Sequence, residues 1–121
     1  MAKTILCVDD SPTIRMLVKK TLEPLGYEIL EADNGETGVT AAGKTHVDFI
    51  LVDVNMPVMD GFDCVKGIKA LPGLTNVPVV FLTTESSDEK KALGRQLGVS
   101  GWMVKPFEAD ALVKIVRMLA G

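Results

Sequence analysis

Aromatic side chains are scarce in this chain: four Phe, one Tyr and one Trp among 121 residues. Transition-metal ligands are scarcer. There is one histidine, and there are two cysteines far apart in sequence. Cys7 lies inside the apolar run Ile5-Leu6-Cys7-Val8, where a cysteine serves as a small buried hydrophobe; neither Cys7 nor Cys64 is expected in a disulfide or a metal site. His46 follows Lys44-Thr45 with no second histidine or nearby cysteine, which argues against zinc. An excess of positive charge is missing too. Thirteen Lys and Arg face sixteen Asp and Glu, a formal net charge of −3, which is unlike the basic footprint of a dedicated nucleic-acid binder. No apolar run approaches the roughly 18 residues of a membrane span. The apolar run before Asp9-Asp10 is only four residues long, 5–8, too short for a signal-peptide core. The expectation is a cytoplasmic protein with no membrane insertion.

Hydrophobic residues make up 47% and charged residues 24%, the balance of a soluble globular domain. The length suits one domain, expected over residues 1–121, with a core that needs no staples. Short apolar runs alternate with helical patterns. Five strands are predicted at 4–9, 27–32, 48–53, 78–83 and 101–104. The unbroken runs 5–8, 49–52 and 79–82 imply strands covered on both faces, as in a parallel sheet between helices. The mixed stretch Tyr27-Glu28-Ile29-Leu30-Glu31 suits an edge. A first helix is capped by Ser11, starts at Pro12 and stops at Gly26. A second spans 34–42 with Gly43 as its stop, and a third spans 60–71. Ser86-Ser87-Asp88-Glu89 offers a capping box for a fourth helix, which Gly98 ends. Leu112, Ile115, Val116 and Leu119 stripe a fifth. The predicted fold class is a doubly wound α/β sandwich of the flavodoxin-like (βα)5 kind, a five-stranded parallel sheet in the order 2-1-3-4-5.

The polar residues that break the apolar pattern fall at strand ends: Asp9 and Asp10 end the first, Asp53 ends the third, Thr83 ends the fourth, and Lys105 follows the fifth. In a parallel sheet these ends share one rim, and ligands bind where the strand order reverses, here between strands one and three. Any one of these residues alone is more often a cap, a turn residue or a solvated lysine. Their coincidence at four strand ends is what such bland readings explain poorly. Three carboxylates in one pocket repel and call for neutralisation. A hard divalent cation such as Mg²⁺ suits a site with few carboxylates, several waters and a phosphate. With Lys105 as a fixed cation and Thr83 as a hydroxyl donor, the set matches the needs of phosphoryl transfer.

Val8-Asp9-Asp10-Ser11, Asp53-Val54-Asn55-Met56-Pro57, Asp60-Gly61, Leu82-Thr83-Thr84 and Lys105-Pro106-Phe107 together resemble the signature of response-regulator receiver domains, in their chemotaxis type. The resemblance covers the whole chain with its spacing preserved. It implies that Asp53 accepts a phosphoryl group from a phosphohistidine on a histidine kinase. Asp10 and Asp53 would ligate Mg²⁺ together with the Asn55 backbone carbonyl, and Asp9 would act more weakly or through a water. Lys105 would pair with a phosphoryl oxygen, Thr83 would hydrogen-bond another, and the Lys105-Pro106 peptide would be cis. Asn55 and Glu85 match the type whose acyl phosphate is short-lived, which implies fast self-dephosphorylation. Thr84 stands where the family often has a small residue and would narrow access for small donors. Trp102 stands where the family usually has Tyr or Phe, a ring that turns inward on activation, and the bulkier indole is expected to hinder that pose.

The resemblance places the output face on helix four, strand five and helix five, where Gly94 lowers helicity by about 1 kcal/mol relative to Ala. It implies a monomer that catalyses only its own phosphorylation and dephosphorylation and signals through a protein partner, with a flagellar motor switch as the first guess. A phosphate sink or a relay intermediate remains an alternative. A small phosphatase with an aspartyl nucleophile fits less well. Phosphatases resembling the haloacid dehalogenase family carry Asp-x-Asp after the first strand, whereas Asp9 and Asp10 are adjacent and the best nucleophile follows the third. A flavin module would want a hydroxyl- and glycine-rich phosphate loop where Asp9-Asp10 stand.

Overall fold

The computed structural model describes residues 3–54, 60–84 and 88–120, the side chains of 88–90 excepted. Ten regular elements alternate along the chain: β1 (Thr4–Val8), α1 (Pro12–Leu22), β2 (Glu28–Ala32), α2 (Gly35–Lys44), β3 (Phe49–Asp53), α3 (Gly61–Lys69), β4 (Val79–Thr83), α4 (Asp88–Gln96), β5 (Gly101–Val104) and α5 (Ala109–Ala120). The strands form one sheet in the order β2-β1-β3-β4-β5, and every pairing is parallel. No helix among the described residues is long and apolar enough to cross a membrane.

The unbroken apolar runs are explained by the two faces of the sheet, since successive strand side chains point to opposite sides. Leu6, Val8, Ile50, Val52, Val79 and Phe81 pack with Cys64, Val65 and Ile68 of α3 and Ala42 of α2. Ile5, Cys7, Phe49, Leu51, Val80 and Leu82 pack with Val18 and Leu22 of α1 and Leu112, Val116 and Ala120 of α5. β1, β3 and β4 are buried along their whole length. β2 buries only Ile29 and Ala32 and leaves Glu28 and Glu31 exposed, as its mixed sequence predicts for an edge.

The local signals are realised with small shifts. Ser11 caps α1, its hydroxyl accepting the Ile14 N–H. The helix ends at Leu22, and a 3-10 turn over Glu23–Leu25 leads to Gly26 at φ 96°. Asn34 and Thr37 form a reciprocal capping box on α2. Gly43 is not the stop predicted for that helix. It stays helical, and Thr45, with an extended backbone, ends α2 while donating its N–H to Ala41. Asp60 caps α3 through the Asp63 N–H. That helix ends at Lys69, short of the predicted 71, because Leu71 N–H turns to the nearer Ile68 carbonyl. Four strands are trimmed by one residue relative to expectation; Asp9, for instance, lies just past β1 yet still donates its N–H to Ala32. The predicted Ser86-Ser87 cap lies outside the described residues. On α5 the buried stripe is Leu112, Val116 and Ala120, with Ile115 and Leu119 only partly covered.

Trp102 joins the first core cluster from β5. Its ring tilts at 51° against Phe81, 5.0 Å away, and Phe81 in turn meets Phe62 at 5.1 Å. The other side of the indole lies on Gly94 of α4. A Cβ at Gly94 would stand 2.7 Å from Trp102 Cζ2 and 3.0 Å from Val99. In this conformation the missing side chain on α4 makes room for the indole. In an open helix Gly→Ala stabilises by about 1 kcal/mol; here overpacking, typically about 1–3 kcal/mol, outweighs that gain. Gly94→Ala is predicted to lower stability in urea unfolding and to shift Trp102 emission, and a net gain in stability would show that the indole moves aside freely.

Candidate functional site

The carboxyl ends of β1, β3, β4 and β5 bring the predicted residues to one rim. Asp53 is the last residue of β3 and Thr83 the last of β4, both buried. Asp9 is fully buried just after β1, and Asp10 beside it is exposed. Lys105 follows β5, where its N–H donates to the Thr83 carbonyl at 2.7 Å and its peptide bond to Pro106 is cis. Asp9, Asp10 and Asp53 each offer a carboxylate oxygen, and these three atoms lie within 4.8 Å of one another. Hard oxygen donors at that spacing fit a divalent cation such as Mg²⁺.

Lys105 organises the cluster. Its ammonium donates to Asp9 Oδ2 at 2.7 Å and lies 3.5 Å from Asp53 Oδ2. Burial pulls the pKa of this lysine down, but the hydrogen bond and charge of Asp9, with Asp53 behind them, hold it above the ordinary value. The other oxygen of Asp9, Oδ1, accepts the Ser11 N–H at 2.9 Å. Both oxygens of Asp9 thus carry a hydrogen bond.

The chain leaving Asp53 is held close by a glycine. A Cβ on Gly61 would sit 2.5 Å from the Asp53 carbonyl oxygen and 2.8 Å from Val54 Cα, and the Gly61 N–H donates to Val54 at 3.0 Å. No side chain fits there without moving the backbone of Asp53 itself, which gives Asp60-Gly61 its physical reason. Thr84 is exposed at the end of β4, and Trp102 sits away from the cluster against Phe81 and α4. Asn55 and Glu85 lie outside the described residues.

Residues set aside from the sequence stay aside. Cys7 and Cys64 are free and buried. Burial pushes both thiols up to about 12, helped at Cys7 by Asp9 and Glu31 and at Cys64 by Asp60, so neither offers a thiolate. His46 pairs with Asp48 at 2.7 Å before β3, at the opposite end of the sheet. Asp48 is held below the usual carboxylate range, chiefly by the Thr4 N–H that it accepts.

One residue escaped the sequence reading. Arg15 of α1 donates from Nη1 to the Asp9 carbonyl at 2.6 Å and from Nε to Glu31 at 3.3 Å. The signal was a pair of cations one helical turn apart, Arg15 and Lys19, facing an edge-strand glutamate. Reading it requires the register of α1 over β2.

Comparison with known proteins agrees with this geometry. The family model described as the response regulator receiver domain matches residues 5–117. The chain is 42% identical to chemotaxis protein CheY-3 of Vibrio cholerae over 109 residues, 89% of this chain and 84% of that one. The solved structure of chemotaxis protein CheY4 of Vibrio cholerae superposes with a TM-score of 0.95 at 41% identity, covering 98% of this chain and 99% of that one. The receiver domain of sensor histidine kinase PA1611 from Pseudomonas aeruginosa, solved with a magnesium ion in its active-site cleft, superposes at 0.90 with 28% identity over 100% and 99% of the two chains. An acidic cluster at the carboxyl ends of a 2-1-3-4-5 sheet, a lysine between its carboxylates and matches of this extent lead to one conclusion: the chain belongs to the response regulator receiver family of two-component systems, and within it is CheY-like.

Proposed function

We propose that Asp53 is the phosphoacceptor of this receiver and takes its phosphoryl group from a phosphohistidine of a histidine kinase. The observation that carries the reading is the grouping of Asp9, Asp10 and Asp53 within 4.8 Å, with the Lys105 ammonium between Asp9 and Asp53. An Asp53 oxygen attacks phosphorus as the bond to the imidazole nitrogen breaks. Asp10 and Asp53 would hold Mg²⁺ with the Asn55 carbonyl, and Asp9 would act through a water. When bound, the ion supplies charge neutralisation to the carboxylates and to the incoming phosphoryl oxygens. Lys105 pairs with one phosphoryl oxygen, and Thr83, at the adjacent strand end, donates its hydroxyl to another. The new group brings a charge of about −1.5 to −2 if it resembles a phosphomonoester. That charge draws on Lys105 and Thr83 and shifts the population of two conformations of the β4–α4 and β5 region.

The partners proposed are a histidine kinase and a downstream protein met on the face of α4, β5 and α5, with a flagellar motor switch protein the first to test. The chain acts as a cytoplasmic monomer on this reading, and its only chemistry is on itself. Asn55 and Glu85, by their match to the chemotaxis type, favour a short-lived acyl phosphate.

Intact mass after incubation with acetyl phosphate and MgCl₂ is expected to show one labile phosphoryl adduct, absent from Asp53→Asn and from a sample kept in EDTA. An adduct of the same yield on Asp53→Asn would place the nucleophile elsewhere. The same crowding of carboxylates weakens the metal-free fold. Asp10→Asn removes one negative charge from beside the other two, a repulsion of about 1 kcal/mol at about 4 Å with the water-like screening of an exposed side chain. It is predicted to raise the melting temperature in EDTA by a few degrees. An unchanged or lower melting temperature would mean that the cluster carries no net repulsion.

A further inference from the structure

Asp10 is the exposed member of the acid cluster, and no hydrogen bond or ion pair among the described residues holds its side chain. Its direction is set by the backbone on either side. The peptide after it is fixed by the Ser11 N–H, which donates to Asp9 Oδ1 at 2.9 Å. The peptide before it is fixed by the Asp9 carbonyl, which accepts Arg15 Nη1 at 2.6 Å. In a parallel ladder the N–H and C=O of one residue point to the same side. Asp9 N–H goes to Ala32 at the end of β2, so its carbonyl faces a neighbour strand that has already stopped. Arg15 fills that missing position. The guanidinium is itself anchored, because Nε pairs with Glu31 Oε1 at 3.3 Å, and Lys19 approaches the other oxygen of Glu31 at 3.9 Å. The Arg15 side chain is only 17% exposed.

We infer that Arg15, held by Glu31, is a positioning residue for the divalent cation: it locks the Asp9–Asp10 peptide and so pre-orients the Asp10 carboxylate. The inference rests on the metal reading above. Its sign is diagnostic. A positive side chain beside a cation site repels the ion, so plain electrostatics predicts tighter Mg²⁺ binding when Arg15 is removed. Positioning predicts the reverse, with the tenfold or greater loss usual for residues that support a metal ligand from behind. Lysine is no substitute, because one ammonium cannot serve the Asp9 carbonyl and Glu31 with the fixed fork of a guanidinium.

The test is titration of MgCl₂ into the whole protein, followed by the amide shifts of Asp10 and Ser11, at constant ionic strength. Wild type, Arg15→Met and Arg15→Lys are compared after melting curves in EDTA have shown each to be folded. The expected result is saturable binding by wild type, about tenfold weaker binding by Arg15→Met, and at least threefold weaker binding by Arg15→Lys. Should Arg15→Met fail to fold, Arg15→Lys, which keeps stem and charge, carries the test. Equal or tighter binding by a folded variant overturns the positioning role while leaving the metal reading intact. Absence of binding by wild type overturns both.

Discussion

The contact on which the rest of this structure depends is the one between the Lys105 ammonium and two buried carboxylates, Asp9 at 2.7 Å and Asp53 at 3.5 Å. Burying a carboxylate costs several kcal/mol unless it is paired and hydrogen-bonded. Asp9 is fully buried, and its oxygens are taken by Lys105 and the Ser11 N–H. Among the described residues one ammonium, Lys105, meets the three carboxylates, while Arg15 beside them is paired with Glu31. The fold therefore presents a site whose charge is unfinished, with an exposed Asp10 at its mouth. On the proposed reading a divalent cation would offset that charge.

The geometry follows from parallel pairing. β1 and β3 are neighbours in the sheet, so Asp9, Asp10 and Asp53 meet although they lie far apart in the chain. β4 and β5 bring Thr83 and Lys105 to the same rim. The hydrogen bond from the Lys105 N–H to the Thr83 carbonyl ties those two ends together, so a charge change at one is felt at the other. Below the rim, the tilted stack of Phe62, Phe81 and Trp102 runs from α3 across β4 to β5, and Gly94 lets α4 close over it. The α4 and β5 region is thus seated on a packed aromatic row.

Much of this was legible in the sequence. Unbroken apolar runs announced the buried strands, the mixed second run its edge position, and polar residues at four strand ends the site. Those signals are local or simply periodic. What escaped depends on pairs far apart in sequence. Lys105 meets Asp9 across 96 residues, and nothing in a linear reading says which carboxylate it prefers. Arg15 supports the Asp9–Asp10 turn only because α1 lies against β2. Gly94 read as a weak point in a helix until Trp102 was seen to occupy the space of its missing Cβ. Gly43 read as a stop, yet a glycine ends a helix only where a left-handed turn follows, and the chain at Thr45 goes extended instead. The motif segments at Asn55 and Glu85 lie outside the described residues, and their roles rest on the resemblance alone.

On the proposed reading the carboxylate cluster is an incomplete electrostatic site that a divalent cation completes. Its most direct measurement is the unfolding free energy in urea as a function of MgCl₂, against NaCl controls matched in ionic strength. Binding confined to the folded state raises stability as RT ln(1 + [Mg²⁺]/Kd). Stability is expected to climb with magnesium beyond the salt controls and to approach the slope of one bound ion. Superposition of the magnesium and sodium curves at every ionic strength would contradict it.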